Sequence, residues 1–326
     1  MEPHPGGLVT RRRFLGAAAV SAVAAGAGCA KRTEAAGPPG KAAVAILRAP
    51  SYRVDLVDRL VRGAALCGLD ARGKRVLLKP NLVEFDRSSV IHTQAEVVAA
   101  SVALFEHLGA REIIIGEGSG HRRDGYFLAE EAGYRQAIPD FDSRFVDLNR
   151  DEVAHVAPFP GKGGIYLART ALAADLVVSI ARMKTHHWVG ATLSMKNLFG
   201  VVPGAVYGWP KNHLHQAGIP NCVASLYRTF PRSFAIVDGI VGMEGNGPIQ
   251  GRARSCGVLV MGADLAAVDA TCCRIMGIDP EKIEYLRLVS DQGHVAEPWI
   301  EQRGETIPQV RSPFELIPQF QHLRLV

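Results

Sequence analysis

Asp175-Leu176-Val177-Val178-Ser179-Ile180-Ala181-Arg182-Met183-Lys184-Thr185-His186-His187 begins as a short apolar run rich in β-branched residues and ends in a polar cluster. A run of that kind, apolar without alternation, predicts a strand over 175–180 that is buried on both faces, as strands are in a parallel sheet covered by helices. Outward in both directions the form repeats, at 43–48, 75–78, 112–115, 234–237 and 257–261. Between these runs, residues 54–69, 94–108, 213–230 and 265–276 carry apolar side chains at helical spacing. The alternation predicts an α/β domain with a mostly parallel sheet and helices on both faces. Residues 141–170 depart from it. Two short alternating runs, 145–148 and 153–159, followed by Gly161-Lys162-Gly163-Gly164, predict a small antiparallel excursion.

Composition agrees with a folded chain. Of 326 residues, 48% are apolar and 21% charged, which excludes the disordered class and allows a large core. No segment recurs at fixed spacing, so a solenoid or propeller is excluded. The formal charge of +5 includes cations within the first 31 residues, and no basic helix or aromatic stacking surface is written here, so nucleic acid is not an expected partner. Cysteines 29, 67, 222, 256, 272 and 273 contain no CxxC pair, and no iron-sulfur cluster or zinc ribbon is expected. Gly116-Glu117-Gly118-Ser119-Gly120 lacks the spacing of a dinucleotide fingerprint, and neither a Walker sequence nor a Gly-x-Ser-x-Gly elbow is present.

The first residues read as an address. Thr10-Arg11-Arg12-Arg13-Phe14-Leu15 precedes an uncharged run over 16–28 and resembles a twin-arginine export signal. The run is too short to span a bilayer comfortably, so residues 1–28 are expected to be a cleavable signal read by the twin-arginine translocase, giving a periplasmic or cell-surface location. Ala27-Gly28-Cys29 ends the run as a lipoprotein cleavage site does. Lipidation of Cys29 is the one expected membrane contact, with a chance cysteine as the alternative. Residues 29–41 read as a flexible tether. Because the twin-arginine route moves folded proteins, it raises the expectation of a bound cofactor and lowers that of disulfides.

Ligands in open α/β sheets bind outside the carboxyl ends of the strands. Five expected strand ends here are polar: Lys79-Pro80-Asn81, Gly116 to His121, Lys184-Thr185-His186-His187, Asp238-Gly239, and Gly262-Ala263-Asp264. Together they predict one crevice. Ser194-Met195-Lys196-Asn197-Leu198-Phe199-Gly200 and Met243-Glu244-Gly245-Asn246-Gly247-Pro248 add to it. Lys184, Lys196 and Asp269 are the candidate catalytic residues, since crowding and burial favour a neutral lysine as base or nucleophile. Lys79, Asn81, Asn197 and Asn246 are candidate ligands for carboxylate or phosphate oxygens. Asp238, Glu244, Asp264 and His186 are candidate ligands for a divalent metal such as Mg2+. Asp269 shares an apolar helical face with Cys272, Cys273 and Met276 and therefore needs a partner such as a lysine. Asp264 also suits a helix N-cap. A buried structural network of the same lysines and carboxylates is the alternative to a ligand site.

Taken jointly, Lys79-Pro80-Asn81, Met183-Lys184-Thr185-His186, Ser194 to Gly200, Asp238-Gly239 through Gly247-Pro248, and Asp264 to Asp269 resemble the DUF362 family, in order over residues 43–293. The resemblance implies one α/β domain over 42–293, with 294–326 as a C-terminal extension packed on it. Some relatives carry ferredoxin-like Cys clusters, which this chain lacks. The family name records no function, so the expectation rests on the residues: an exported enzyme binding a small carboxylate or phosphate, with a divalent metal as a candidate cofactor, for acid-base or redox chemistry. A non-catalytic ligand- or metal-binding lipoprotein and an accessory scaffold for redox-protein assembly are the alternatives.

Overall fold

The computed structural model describes residues 40–326 other than residue 162. The expected signal, most of the tether and Cys29 lie outside the described residues. Eleven strands are described: β1 (Ala42–Arg48), β2 (Arg75–Pro80), β3 (Glu112–Glu117), β4 (Phe145–Asp147), β5 (Val153–Val156), β6 (Ile165–Ala168), β7 (Leu176–His186), β8 (Gly190–Thr192), β9 (Ser233–Glu244), β10 (Arg252–Gly262) and β11 (Ile300–Gly304). The main sheet has the order β11-β1-β10-β9-β7-β2-β3-β4, with β8 added to β7. The neighbours from β9 to β4 are all parallel, as are β1 and β11. β10 runs against both β9 and β1, because the short connection over 245–251 cannot make a crossover and folds back as a hairpin.

Side chains alternate across the sheet. Val76, Leu78 and Val178 point into one core layer, whereas Leu77 and Val177 point into the other. The first layer is closed by the helices Leu56–Leu66 and Ala95–His107, through residues such as Leu60, Val97 and Phe105. The second is closed by Ile219–Thr229 and Leu265–Ile275, through Val223, Cys272 and Cys273. Burial on both faces explains why the strands read as continuous apolar runs.

The antiparallel excursion uses different strands from those expected. Val153–Val156 pairs with Ile165–Ala168 across the glycine-containing turn, as a separate two-stranded sheet. Phe145–Asp147 instead joins the main sheet beside β3, in parallel. Phe145 is buried there against Phe141, with ring centroids 4.9 Å apart, and that burial outweighs a local hairpin. Strands β7 and β9 also run well past the expected ends at Ile180 and Val237, so Lys184, His186 and Asp238 sit on strand rather than in loops.

The C-terminal segment supplies β11 at the far edge and returns past the end of β9, where Gly245 N donates to Glu315 O at 2.9 Å. Among the described residues no helix is long and apolar enough to cross a membrane.

Candidate functional site

From β2 the chain moves outward through β3 to β4, and then returns to place β7 on the other side of β2. The carboxyl ends of β2 and β7 therefore form a topological switch point, where connecting segments diverge and leave a crevice. A cavity of about 200 Å³ lies there, lined among others by Lys79, Glu117, His186, Lys196, Lys211 and His215.

Its floor is a fixed polar chain. Lys79, 1% exposed, donates to both oxygens of Glu117 at 2.9 and 2.8 Å and to Asn197 Oδ1 at 3.1 Å. Glu117 also accepts from Leu82 N at 3.0 Å and Gly118 N at 2.8 Å, so the carboxylate is fully engaged. Asn197 Nδ2 donates to Lys79 O and Ser179 Oγ, while its oxygen also accepts from Asn81 Nδ2 at 3.1 Å. Asn81 Oδ1 in turn accepts from Lys184 Nζ at 2.7 Å. A Cβ on Gly200 would overlap Glu117 and Lys79, so only glycine lets this backbone pass over the ion pair.

Three further buried or partly buried lysines, Lys184, Lys196 and Lys211, have no carboxylate partner among the described residues. Lys184 donates to Asn81, to Ile91 O at 2.8 Å and to Pro248 O at 3.3 Å. Burial, with Arg182 and Lys196 nearby, holds its amine well below the ordinary lysine range. Lys211 donates to Gly118 O at 2.9 Å and Phe199 O at 3.3 Å, and burial lowers its pKa to about 7. It does so from a left-handed backbone, at φ 66°, which a lysine rarely adopts. Lys196 is partly buried, with Nζ 3.7 Å from the Phe199 ring centroid and no hydrogen-bond partner among the described residues. Burial, then the Lys79 charge, brings it to about 7. The Phe199 face favours the protonated form, so the two tendencies leave this amine able to exist in either state near neutral pH.

The mouth is aromatic. His186 Nδ1 accepts from Trp188 N at 3.0 Å, and burial keeps that imidazole neutral. His187 Nδ1 lies 2.7 Å from Gly247 O, a contact that needs an N–H at Nδ1. Trp188, 57% exposed, packs edge-on against His187 and His215 at 4.7 and 5.0 Å. Thr192 lines the same cavity, and its buried hydroxyl has no partner among the described residues.

Of the residues singled out in the sequence, Lys79, Asn81, His186, Lys196 and Asn197 line this cavity, and Lys184 lies one amide behind it. The others go elsewhere. Asp269 does not meet a lysine: it accepts from Ser194 N at 2.8 Å, Ser194 Oγ at 2.5 Å and Met195 N at 3.1 Å, anchoring the turn that carries Lys196 and Asn197. Burial pushes that carboxyl up to about 7 against these donors. Asp238 is paired with Arg182 at 3.1 Å and with Tyr52 at 3.0 Å. Glu244 accepts from Arg252 at 3.0 Å and Glu315 N at 2.8 Å, and Asn246 is exposed, bonded to Gln250.

Asp264 sits beyond the opposite ends of the strands, beside the start of β9, because β10 is antiparallel. There it caps the helix Leu265–Ile275 and binds His294 at 2.6 Å. The expected metal set of Asp238, Glu244, Asp264 and His186 is thus dispersed, and among the described residues no three His, Cys, Asp or Glu side chains converge as a metal site. Glu117, at the end of β3, and His187 were visible as polar strand ends, but their bonding partners were not. Lys211, Thr192 and Trp188 carried no motif signal.

The residues of the cavity fall within a stretch matched by a family model. Residues 76–274 match the domain of unknown function DUF362. The chain belongs to the DUF362 family. Both lysine-bearing strands and the turn holding Lys196 and Asn197 lie inside the DUF362 match. A thylakoid-associated protein of Synechocystis sp. (strain ATCC 27184 / PCC 6803 / Kazusa), sll1697, is 31% identical over 216 residues, spanning 65% of this chain and 65% of its own. A lactate racemase apoprotein from Thermoanaerobacterium thermosaccharolyticum superposes with a TM-score of 0.45 and 14% identity, over 73% of this chain and 57% of that one.

Proposed function

We propose that the DUF362 cavity binds a small organic carboxylate or phosphate and carries out proton transfer on it, with Lys196 as the acid-base group. One observation supports this above the rest: Lys196 offers an unpartnered amine, poised near neutrality, to a cavity whose other free lysines also lack carboxylates. Lys79 is balanced by Glu117, but Lys196 and Lys211, which line the cavity, are not balanced by anything described, and an incoming anion supplies the missing charge when they are protonated. The unpaired hydroxyl of Thr192 offers it a hydrogen bond. Proton transfer suits an amine whose two protonation states are close in free energy at working pH. The reading uses no metal, because the carboxylates considered for one are each engaged separately.

Calorimetric titration of the wild type with benzoate and inorganic phosphate tests the binding half. Binding that falls about 10- to 100-fold in Lys196→Met supports the proposal; equal binding by wild type and variant, or none by either, overturns it. Turnover of a bound anion separates an enzyme from a ligand-binding lipoprotein. We further propose that residues 1–28 direct export through the twin-arginine route. Substitution of Arg11 and Arg12 by lysine is expected to retain the protein in the cytoplasm, and unchanged fractionation would remove that address.

A further inference from the structure

We propose that Lys196 is a carbonyl-trapping residue, and that the ligand class of the cavity is a flat aldehyde or ketone bearing a carboxylate or phosphate, held covalently as an imine. The inference rests on the anion-binding reading above and goes beyond it in naming a bond. Four observations converge. Lys196 Nζ makes no hydrogen bond among the described residues, so its lone pair is uncommitted when the amine is neutral. Lys79, Lys184 and Lys211 donate to two or more oxygens each, which makes them oxygen-binding groups rather than nucleophiles. Lysines become nucleophilic when they are desolvated beside other cations, and Lys196 stands in that setting. Finally, the wall of His186, His187, Trp188 and His215, with Phe199 beneath the amine, provides flat faces for a conjugated ligand. A cavity of about 200 Å³ has room for a single substituted ring.

The step balances without any other reagent. The lone pair of neutral Lys196 Nζ forms the C–N bond, and the carbonyl π pair moves to oxygen. Both amine protons pass to that oxygen, directly or through neighbouring groups, and water leaves with the cleaved C–O bond, giving a C=N link. Protonation of the imine draws electrons from the bonds beside the former carbonyl carbon, which is how a lysine activates such a compound for proton removal. Lys211, with two acceptors for its three N–H groups, lines the same cavity as a donor to the ligand's anionic end.

The test uses 4-carboxybenzaldehyde and the full chain at pH 7, with sodium cyanoborohydride added to reduce any imine, followed by peptide mass spectrometry. Lys196 should be labelled roughly a hundredfold faster than the exposed Lys41 and Lys282, because an ordinary lysine is almost wholly protonated at that pH. Excess 4-hydroxymethylbenzoate, which has the ring and the anion but no carbonyl, should protect it. Lys196→Arg, which keeps a cation but cannot form this adduct, should abolish the cavity label while thermal melting shows the fold intact. Labelling of Lys196 no faster than of Lys41, with 4-hydroxymethylbenzoate binding by calorimetry, overturns the imine and leaves the anion reading standing. Absence of both labelling and binding overturns the two together.

Discussion

Two buried basic side chains two residues apart on β7 are completed in opposite ways. Arg182, 1% exposed, is held by Asp238, which Tyr52 and Ile240 N also approach. Lys184, fully buried, is held by an amide and two carbonyl oxygens and has no carboxylate. The cost of burying the arginine is offset inside the fold. Lys184 is instead pushed toward the neutral amine by burial, and Lys196 and Lys211, which line the cavity, have no carboxylate partner among the described residues. A buried cation closed by a carboxylate belongs to the scaffold, whereas on the proposed reading a lysine left open at the cavity is where a ligand's charge is wanted.

The comparison breaks most visibly at Asp238. Replacement by Ala strands Arg182 without its counter-charge and is expected to destabilise the protein by about 3–5 kcal/mol, read by urea denaturation. A loss below about 1 kcal/mol would place Arg182 among the open cations instead. Lys196→Met sharpens the contrast from the other side. No hydrogen bond is lost and a lysine held below its ordinary range is removed, so stability near pH 7 should hold or rise, while affinity for an aromatic carboxylate falls as described above.

The titration of the open lysines supplies the next effect. Lys196 and Lys211 have folded values of about 7, below their unfolded values. The unfolded chain therefore binds more protons between that point and the ordinary lysine range of about 10.4, and stability rises with pH across the interval. Measured in urea between roughly pH 7 and 8.5, the upward slope should be smaller in Lys196→Met. Anion affinity should move the opposite way, falling by up to about tenfold per pH unit above 7 as each ammonium is lost. The smallest effect belongs to the opposite end of the strands. Asp264→Ala removes the N-cap of the helix Leu265–Ile275 and should cost about 1 kcal/mol with unchanged anion affinity in calorimetry.

The strands were legible because both faces of the sheet are buried, which writes each one as an uninterrupted apolar run. Lys79, Asn81, Lys184 and His186 were legible as a group because β2 and β7 are parallel neighbours, so their polar ends arrive at the same place. Asp264 was misplaced for the converse reason: residues 257–261 read as one more buried strand, and nothing in their composition records the reversed direction that the 245–251 hairpin imposes on β10. Asp269 was read correctly as inward, but its partners are two backbone N–H groups and a hydroxyl, which no charge pattern reveals. Lys211 and Thr192 reach the cavity through long-range packing alone. Residues 145–148 carry an alternation that suits a hairpin or a sheet edge equally, and only contact with Phe141 decides between them.

The backbone at Lys211 shows what such a site demands of its scaffold. A left-handed lysine costs about 1 kcal/mol or more relative to glycine, so Lys211→Gly relieves strain at the same time as it removes an amine. The expected outcome is a protein whose melting temperature is retained or raised and whose affinity for the anion is reduced, checked by calorimetric melting alongside titration. Selection for robustness alone would favour glycine at this position. On the proposed reading, a sequence optimised only for thermal endurance would therefore lose an amine that meets the anion.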